Sequence, residues 1–372
     1  MELNSFWKLG LISKNFLMFF LVLVFFGCKE IDVVRDNPLS ILSSETTLLN
    51  VGNLRYQNAK FHISDQGNFL IIHQDRKLWW FDLNKDLITR SVDLDTTNLV
   101  LPEVSILQAR YQENDSSLVL FFPQRSKIIH LNSSFQIDKE IDLSGLQNID
   151  HMFMGYGDAF FYDPDEKEYY IGIISAKSND HKAFLNEMKF VGIFDEKTGK
   201  LKNTFGNFGE KRKALEAMVL SEGIFHIDFK NDRFLLREVI ADQTIHRYSK
   251  DGKKLDSFNL GTSEIESKIF AFESGDDFFS SPRSDQFYSM KVTESGLVVS
   301  NTFSTETIND ELKYFSYLLI EDPEKKVSYS TPIGAFQKIV KANDTGIHMV
   351  RNHPKTEDLI LVKVKYELGE VN

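Results

Sequence analysis

Cysteine is nearly missing from this chain: Cys28 is the only one in 372 residues. Without a second thiol there is no internal disulfide, and without a Cys/His pairing pattern there is no zinc-ribbon framework. Glycine (20) and proline (8) are too few for a collagen-like or low-complexity chain. Positive charge is in deficit as well, with 43 Lys and Arg against 54 Asp and Glu and a formal net charge of −11. A summed field of that sign repels nucleic acid and anionic lipid, so neither is a partner steered by bulk charge. What remains is 42% hydrophobic and 13% aromatic, with 32 Phe. That is apolar mass enough for a large core held by burial and sheet pairing alone.

Long apolar runs are short too. Lys8 and Lys14 precede an apolar stretch over residues 16–26, followed by Gly27-Cys28. Eleven residues do not span a bilayer as a helix, which takes about 20. A basic start, a short apolar core and a small residue at its end predict a signal peptide over residues 1–27. The Gly27-Cys28 junction resembles the lipobox of bacterial lipoproteins, with Phe25 standing where Leu is usual. The resemblance implies that Cys28 becomes the lipidated first residue of the mature chain, with membrane attachment through that lipid. Loss of Glu2, Lys8 and Lys14 then leaves a net charge of −12. Residues 28–44, polar and holding Pro38, read as lipidated Cys and linker, with one domain over residues 45–372. Lys29-Glu30-Ile31-Asp32 fits either a charged export signal or a solvated tether.

From there the chain repeats. An apolar strand, a polar turn and a second apolar strand recur at residues 68–74 and 77–83, 117–123 and 127–132, 168–175 and 190–195, 233–240 and 244–249, 296–303 and 314–322, and 346–353 and 358–367. Such spacing fits a four-stranded propeller blade with loop insertions, and predicts an all-β, six-bladed β-propeller of antiparallel blades. Half-polar outer strands follow at 88–94, 137–143, 201–205, 254–260 and 327–332, five for six blades. The N-terminal segment 46–51 is expected to supply the sixth by pairing with residues 358–367, closing the ring against an exposed edge. Residues 181–188 and 210–218 have helix-forming composition and are expected as short surface helices.

Catalytic signatures are absent: no H-E-x-x-H, G-x-S-x-G, Gly-rich phosphate loop or EF-hand loop, no sialidase Asp-box and no W-D repeat. Propeller sites are instead assembled from polar residues on the innermost strands, one blade at a time. Those strands offer His62, Arg110, His151, His226 with Asp228, Tyr288 and Lys338. Of these, His62, Arg110, His226 and Lys338 form the candidate ligand site, a group of basic and titratable side chains suited to a small anion such as an acidic sugar or a carboxylate. The alternative is a hydrolase or lactonase-like enzyme with one divalent cation in the channel, for which His151, His226 and Asp228 are candidates. Trp79-Trp80-Phe81 and Tyr169-Tyr170 suit sugar stacking, but alternation on a strand buries at least half of such rings. His348 and His353 read as surface histidines. The acidic runs Asp163-Pro164-Asp165-Glu166 and Asp276-Asp277 read as solvated turns or a calcium loop.

With its lipobox, its six repeats and the turn Tyr248-Ser249-Lys250-Asp251-Gly252-Lys253, the chain resembles the six-bladed propeller lipoproteins of Bacteroidota of the domain-of-unknown-function 4221 kind. The resemblance covers about residues 17–372. It implies a fold and an address, an outer-membrane-anchored lipoprotein of the cell envelope, and supplies no activity or catalytic residues. The function expected is a monomeric binding or scaffold module for a small ligand, a glycan or an envelope protein, without a cofactor.

Overall fold

The computed structural model describes residues 36–372 apart from 53, 55, 57–58, 98, 103–107, 144–150, 154–158, 176–184, 210–212, 214–224, 239–242, 261–282, 309–310, 335–336, 357 and 370–372. The residues expected as a signal peptide, Cys28 and Asp276-Asp277 lie outside the described residues. No helix among those described is long and apolar enough to cross a membrane.

The fold is all-β, with antiparallel sheets in a propeller-like arrangement. After β1 (Asp36–Leu48) come β2 (Lys60–Ile63), β3 (Phe69–Gln74), β4 (Lys77–Asp82) and β5 (Leu87–Asp93), paired in that order as one sheet. The next is β6 (Gln108–Gln112), β7 (Ser117–Phe122), β8 (Lys127–Leu131) and β9 (Ile137–Asp142). The third has five strands: β10 (His151–Phe153) and β11 (Phe160–Asp163) both pair with β12 (Glu168–Ser175), followed by β13 (Lys189–Asp195) and β14 (Leu201–Phe205). The fourth is β15 (Phe225–Lys230), β16 (Arg233–Glu238), β17 (Ile245–Ser249) and β18 (Lys254–Phe258). The rest is one nine-stranded sheet: β19 (Arg283–Val292), β20 (Val298–Ile308), β21 (Glu311–Phe315), β22 (Tyr317–Asp322), β23 (Val327–Pro332), β24 (Lys338–Asn343), β25 (Gly346–Asn352) and β26 (Leu359–Leu368), with β1 in its middle.

Six separate four-stranded blades were the expectation; the sheets are four of four or five strands and one of nine. The cause is β1. It pairs antiparallel with β26 from Leu39↔Leu368 to Leu48↔Ile360, and its first three residues also pair parallel with β23, from Asp36↔Ser328 to Pro38↔Ser330. The closing strand therefore runs over 36–48 rather than 46–51, and residues 36–44 are strand rather than linker. Composition hid this, because a Ser-rich segment opening on proline looks solvated, yet Pro near the start of a strand forfeits little ladder bonding. The five outer strands fall where expected, at β5, β9, β14, β18 and β23. Of the two expected helices, residues 185–187 and Lys213 are helical, Met188 is not, and the other positions lie outside the described residues.

The core is a chain of apolar layers between successive sheets. Ile71, Leu78 and Trp80 pack on Ala109, Leu118 and Leu120. Val119, Phe121 and Ile128 pack on Phe160, Tyr169 and Ile171. Phe190, Val191 and Phe205 meet Phe225, Phe234 and Tyr248, and Leu235 with Ile245 meets Met290 and Val298. Val299 and Ile320 pack with Met349 and Val362, and Val340, Val350 and Leu361 return to Phe61, Leu70 and Ile72. Trp80, Tyr169 and Tyr170 are spent in these layers, Tyr169 and Tyr170 on opposite faces of β12 that are both covered by neighbouring sheets.

Candidate functional site at the mouth of the inner strands

A cavity of about 530 Å³ is lined by residues from β2, β6, β11, β15, β19 and β24 and the turns that follow β2 and β19. Each strand is innermost or terminal in its sheet order, or, for β11, pairs only with β12. Each contributes near its C-terminal end: His62, Arg110, Tyr162, Asp228, Lys291 and Lys341. The same strands are tied to their neighbours around the cavity. The Asp65 N–H donates to Tyr111 O at 3.1 Å, Arg110 Nε to Phe160 O at 2.5 Å, and Val292 N–H to Asp228 Oδ2 at 2.8 Å. Lys341 Nζ donates to Gly67 O at 2.7 Å, across the junction between the first and last inner strands.

The lining carries four cations, Arg110, Lys230, Lys291 and Lys341, against three carboxylates, Asp65, Asp228 and Glu294. Lys291 Nζ stands 3.7 Å from Asp228 Oδ1, and Lys230 pairs with Glu294. Arg110 lies over the Phe161 ring at 5.0 Å, which fixes the guanidinium plane. Half-burial pushes the Lys341 pKa down, opposed by Glu113 and reinforced by Lys230. A positive group held out of bulk water beside another gains from an anion more than an exposed lysine does.

Of the four site residues read from the sequence, the structure brings His62 and Arg110 to this cavity and leaves His226 and Lys338 off its lining. His62 is buried, with Nε2 3.2 Å from His73 Nε2. His226 Nε2 donates to Phe287 O at 2.8 Å. Lys338 opens β24, and its charge is felt by His73. Both residues sit on inner strands but two or three positions short of the mouth, roughly 7–10 Å at strand rise. Alternation tells which face a residue takes and not how deep along the channel it lies. Lys230, Lys291 and Lys341 went unread for that reason, and for a second one at Lys341: a register shift between Ile339 and Lys341 breaks the period there.

Two of the three metal candidates are engaged otherwise. His226 and Asp228 hold β19 backbone, and His151 lies on β10 opposite Ser175. Among the described residues no three His, Cys, Asp or Glu side chains come together as a metal site. Asp163 caps its own turn, accepting from Asp165 and Glu166 N–H, and pairs with Lys250 at 2.6 Å. His353 Nδ1 accepts from Lys355 N, Thr356 N and Thr356 Oγ1, a turn cap, whereas His348 is half-buried rather than exposed, and burial lowers its pKa to about 4.

No family model matches the chain, and no curated protein does. Solved structures do. A member of the domain-of-unknown-function 4221 family from Bacteroides vulgatus superposes with a TM-score of 0.66 at 10% identity, covering 91% of this chain and 100% of that one. A Bacteroides fragilis protein described as exported gives 0.51 at 12% identity, over 90% and 97%. The likeness is one of fold, and it falls on the family that the sequence resembles.

Proposed function

We propose that this is an envelope-anchored ligand-binding propeller whose ligand, a small organic anion, sits at the mouth formed by the inner strands. The nine-stranded sheet counts as two blades joined by β1, giving six around the channel. The unbroken circuit of apolar layers supports that count. The fold shared with the Bacteroides structures supports membership of the domain-of-unknown-function 4221 family, and the exported neighbour supports a location beyond the cytoplasm. Lipidation at Cys28 supplies the anchor in this reading.

The observation that carries the proposal is the convergence of Arg110, Lys230, Lys291 and Lys341 on one cavity in a chain of net charge −11. Local cations in a concave, partly desolvated site hold an anion even where the distant field does not attract it. Arg110 supplies the planar donor fork that matches a carboxylate. Calorimetry of the full chain in detergent with glucuronate, citrate and glucose tests this. The acids are expected to bind saturably and glucose not to, with Lys291→Gln weakening the acids about ten-fold. Equal uptake of glucose and glucuronate, or no effect of Lys291→Gln, would overturn it.

A further inference from the structure

A second concavity, of about 420 Å³, lies between the second and third sheets. That size falls within the roughly 300–1,000 Å³ of small-molecule sites. The end of β8, the start of β9 and the turns before β7 and β9 line one side, and Tyr162, Pro164 and Glu196 the other. The cleft adjoins the channel mouth, sharing Gln112 and Tyr162 with it, but its charge has the opposite sign. Asp115, Asp138 and Glu196 stand against one lining cation, Lys139, whose Nζ is 3.1 Å from Glu196 Oε1. Arg90 meets the lining at the Ser133 carbonyl, 3.2 Å from Nη2, with its guanidinium over the Phe135 ring.

Acidic charge alone does not make a site in a chain of net charge −11. His130 does. It is 9% exposed, stands edge-on to Tyr162 at 5.2 Å, and bonds through Nε2 to the Tyr169 hydroxyl. Burial pushes the Tyr169 pKa up, so the hydroxyl keeps its proton; its one hydrogen-bond partner among the described residues is His130, to which it donates. Burial also lowers the His130 pKa to about 4, so the ring is neutral and its single proton sits on Nδ1. No described residue accepts that proton. The orphan Nδ1 of His73 is sealed in protein, whereas that of His130 is not and opens on the cleft it lines.

We infer that this cleft binds an amino sugar, its ammonium taken by Asp115 and Asp138 and one of its oxygens by the His130 Nδ1–H.

The carboxylates call for a cation, and the buried donor for an oxygen carried on the same small molecule. A bare metal ion offers no such oxygen, and no three His, Cys, Asp or Glu among the described residues come together to hold one. An anion meets three carboxylates against one lysine. Asp115 Oδ1 accepts the Ser117 N–H at 2.9 Å, which leaves Oδ2 for a ligand, and Asp138 is exposed on β9. Asn132 Oδ1 caps its own turn, accepting from Ser134 and Gln136 N–H at 3.0 Å, and Asn114 Oδ1 accepts from Gln66 Nε2. Each of these amides keeps its NH₂ for a ligand hydroxyl, so the lining alternates donors with acceptors as a sugar does.

Titration calorimetry of the full chain in detergent, at constant ionic strength, tests the cleft with glucosamine, N-acetylglucosamine and cyclohexylamine. Glucosamine is expected to bind saturably, one to one. N-acetylglucosamine lacks the charge, and cyclohexylamine keeps ring and ammonium without an oxygen; each is expected to bind about ten-fold weaker or less. Asp138→Asn changes an exposed side chain, and Asp115→Asn keeps the oxygen that caps its turn, so both variants fold. Each should weaken glucosamine about ten-fold. No saturable uptake of glucosamine, or equal affinity in both variants and the unaltered chain, overturns the site. Cyclohexylamine binding as tightly as glucosamine overturns it too, because the cleft is then an acidic patch and no more. Lys291→Gln, expected at the channel mouth to weaken the acids, should not weaken glucosamine, so failure here and failure of the carboxylate reading are told apart.

Discussion

His73 is fully buried with its Nδ1 unpartnered, and burial, then Lys60 and Lys338, lower its pKa to about 3. His130, against the Tyr169 hydroxyl, and half-buried His348 are each lowered to about 4, burial again the main cause. Their ordinary value is 6.5, so between that pH and about 4 the unfolded chain takes up protons that the folded chain refuses. Stability from these groups is complete above pH 6.5 and lost as pH falls, by up to about 1.4 kcal/mol per pH unit for each histidine. The lowered carboxylates, Asp82, Asp163, Asp195, Asp251, Asp256 and Asp344, act only at lower pH, below their ordinary 3.8. Urea midpoints measured from pH 7.5 to 5 are expected to fall, with His73→Gln removing roughly a third of the slope. A flat profile, or an unchanged slope in the variant, contradicts this. A buried charge, Arg237, is matched at all but its Nε. Arg237 holds both Glu321 oxygens at 2.6 Å, donates to Ser300 Oγ and Gln243 O, and lies over Phe287 at 4.1 Å. Burial pushes the Glu321 pKa up against the pull of Arg237. The pair joins the fourth sheet to the nine-stranded one, so its geometry acts on which sheets meet more than on net stability.

At the scale of strands and turns, one device recurs. Asp82 accepts from the N–H of Asn84 and Lys85, Asp163 from Asp165 and Glu166, and Asp322 from Glu324 and Lys325. Four residues after each of these aspartates comes a positive φ of 56°, at Asp86, Lys167 and Lys326. The turn after Asp195 has the same plan with Gly199 at φ 65°. Gly199 also passes close to the second sheet, where an added Cβ would lie 2.3 Å from Asp142 O. Gly296, at φ 91°, would meet nothing within 4 Å. Gly296→Ala is therefore expected to cost only the conformational term, about 1–2 kcal/mol. Gly199→Ala adds a clash with backbone, roughly 1–3 kcal/mol more. Equal losses in denaturant titrations of the two variants would refute the close approach. The turn after Asp195 and the one over Ser249–Lys253, with Gly199 and Gly252 at positive φ, are what made the outer strands behind them, β14 and β18, legible, because a Gly at a fixed offset in a hairpin has a local physical cause. The register shift in β24 has none in the sequence, because a bulge is settled by the partner strand, and so Lys341 was missed while Arg110, on an unbroken strand, was found.

For the whole molecule, the propeller-like succession of sheets was legible from repetition, and its N-terminal strand from a shortage: six strand pairs had only five outer strands, so the missing one was sought at the other end of the chain. Where that strand begins was not legible, because pairing with β26 and β23 turns a polar, serine-rich segment into strand, and no local propensity foretells a long-range partner. Those pairings suggest how much the closure contributes. β1 makes nine residue pairings with β26 and three with β23. At ~0.5–1.5 kcal/mol for each net hydrogen bond, their loss approaches the ~5–15 kcal/mol stability of an ordinary domain. A chain beginning at residue 49 would also leave the ladder edge of β26 open to other chains. Such a truncation is expected to lose its cooperative thermal transition or to aggregate, judged by circular dichroism and gel filtration. A synthetic peptide of residues 36–48 added in trans should restore the transition by strand addition, since the open edge supplies both register and partner groups. A truncated chain that melts cooperatively at the temperature of the full chain would mean that the ring is held by the apolar layers between sheets and not by β1.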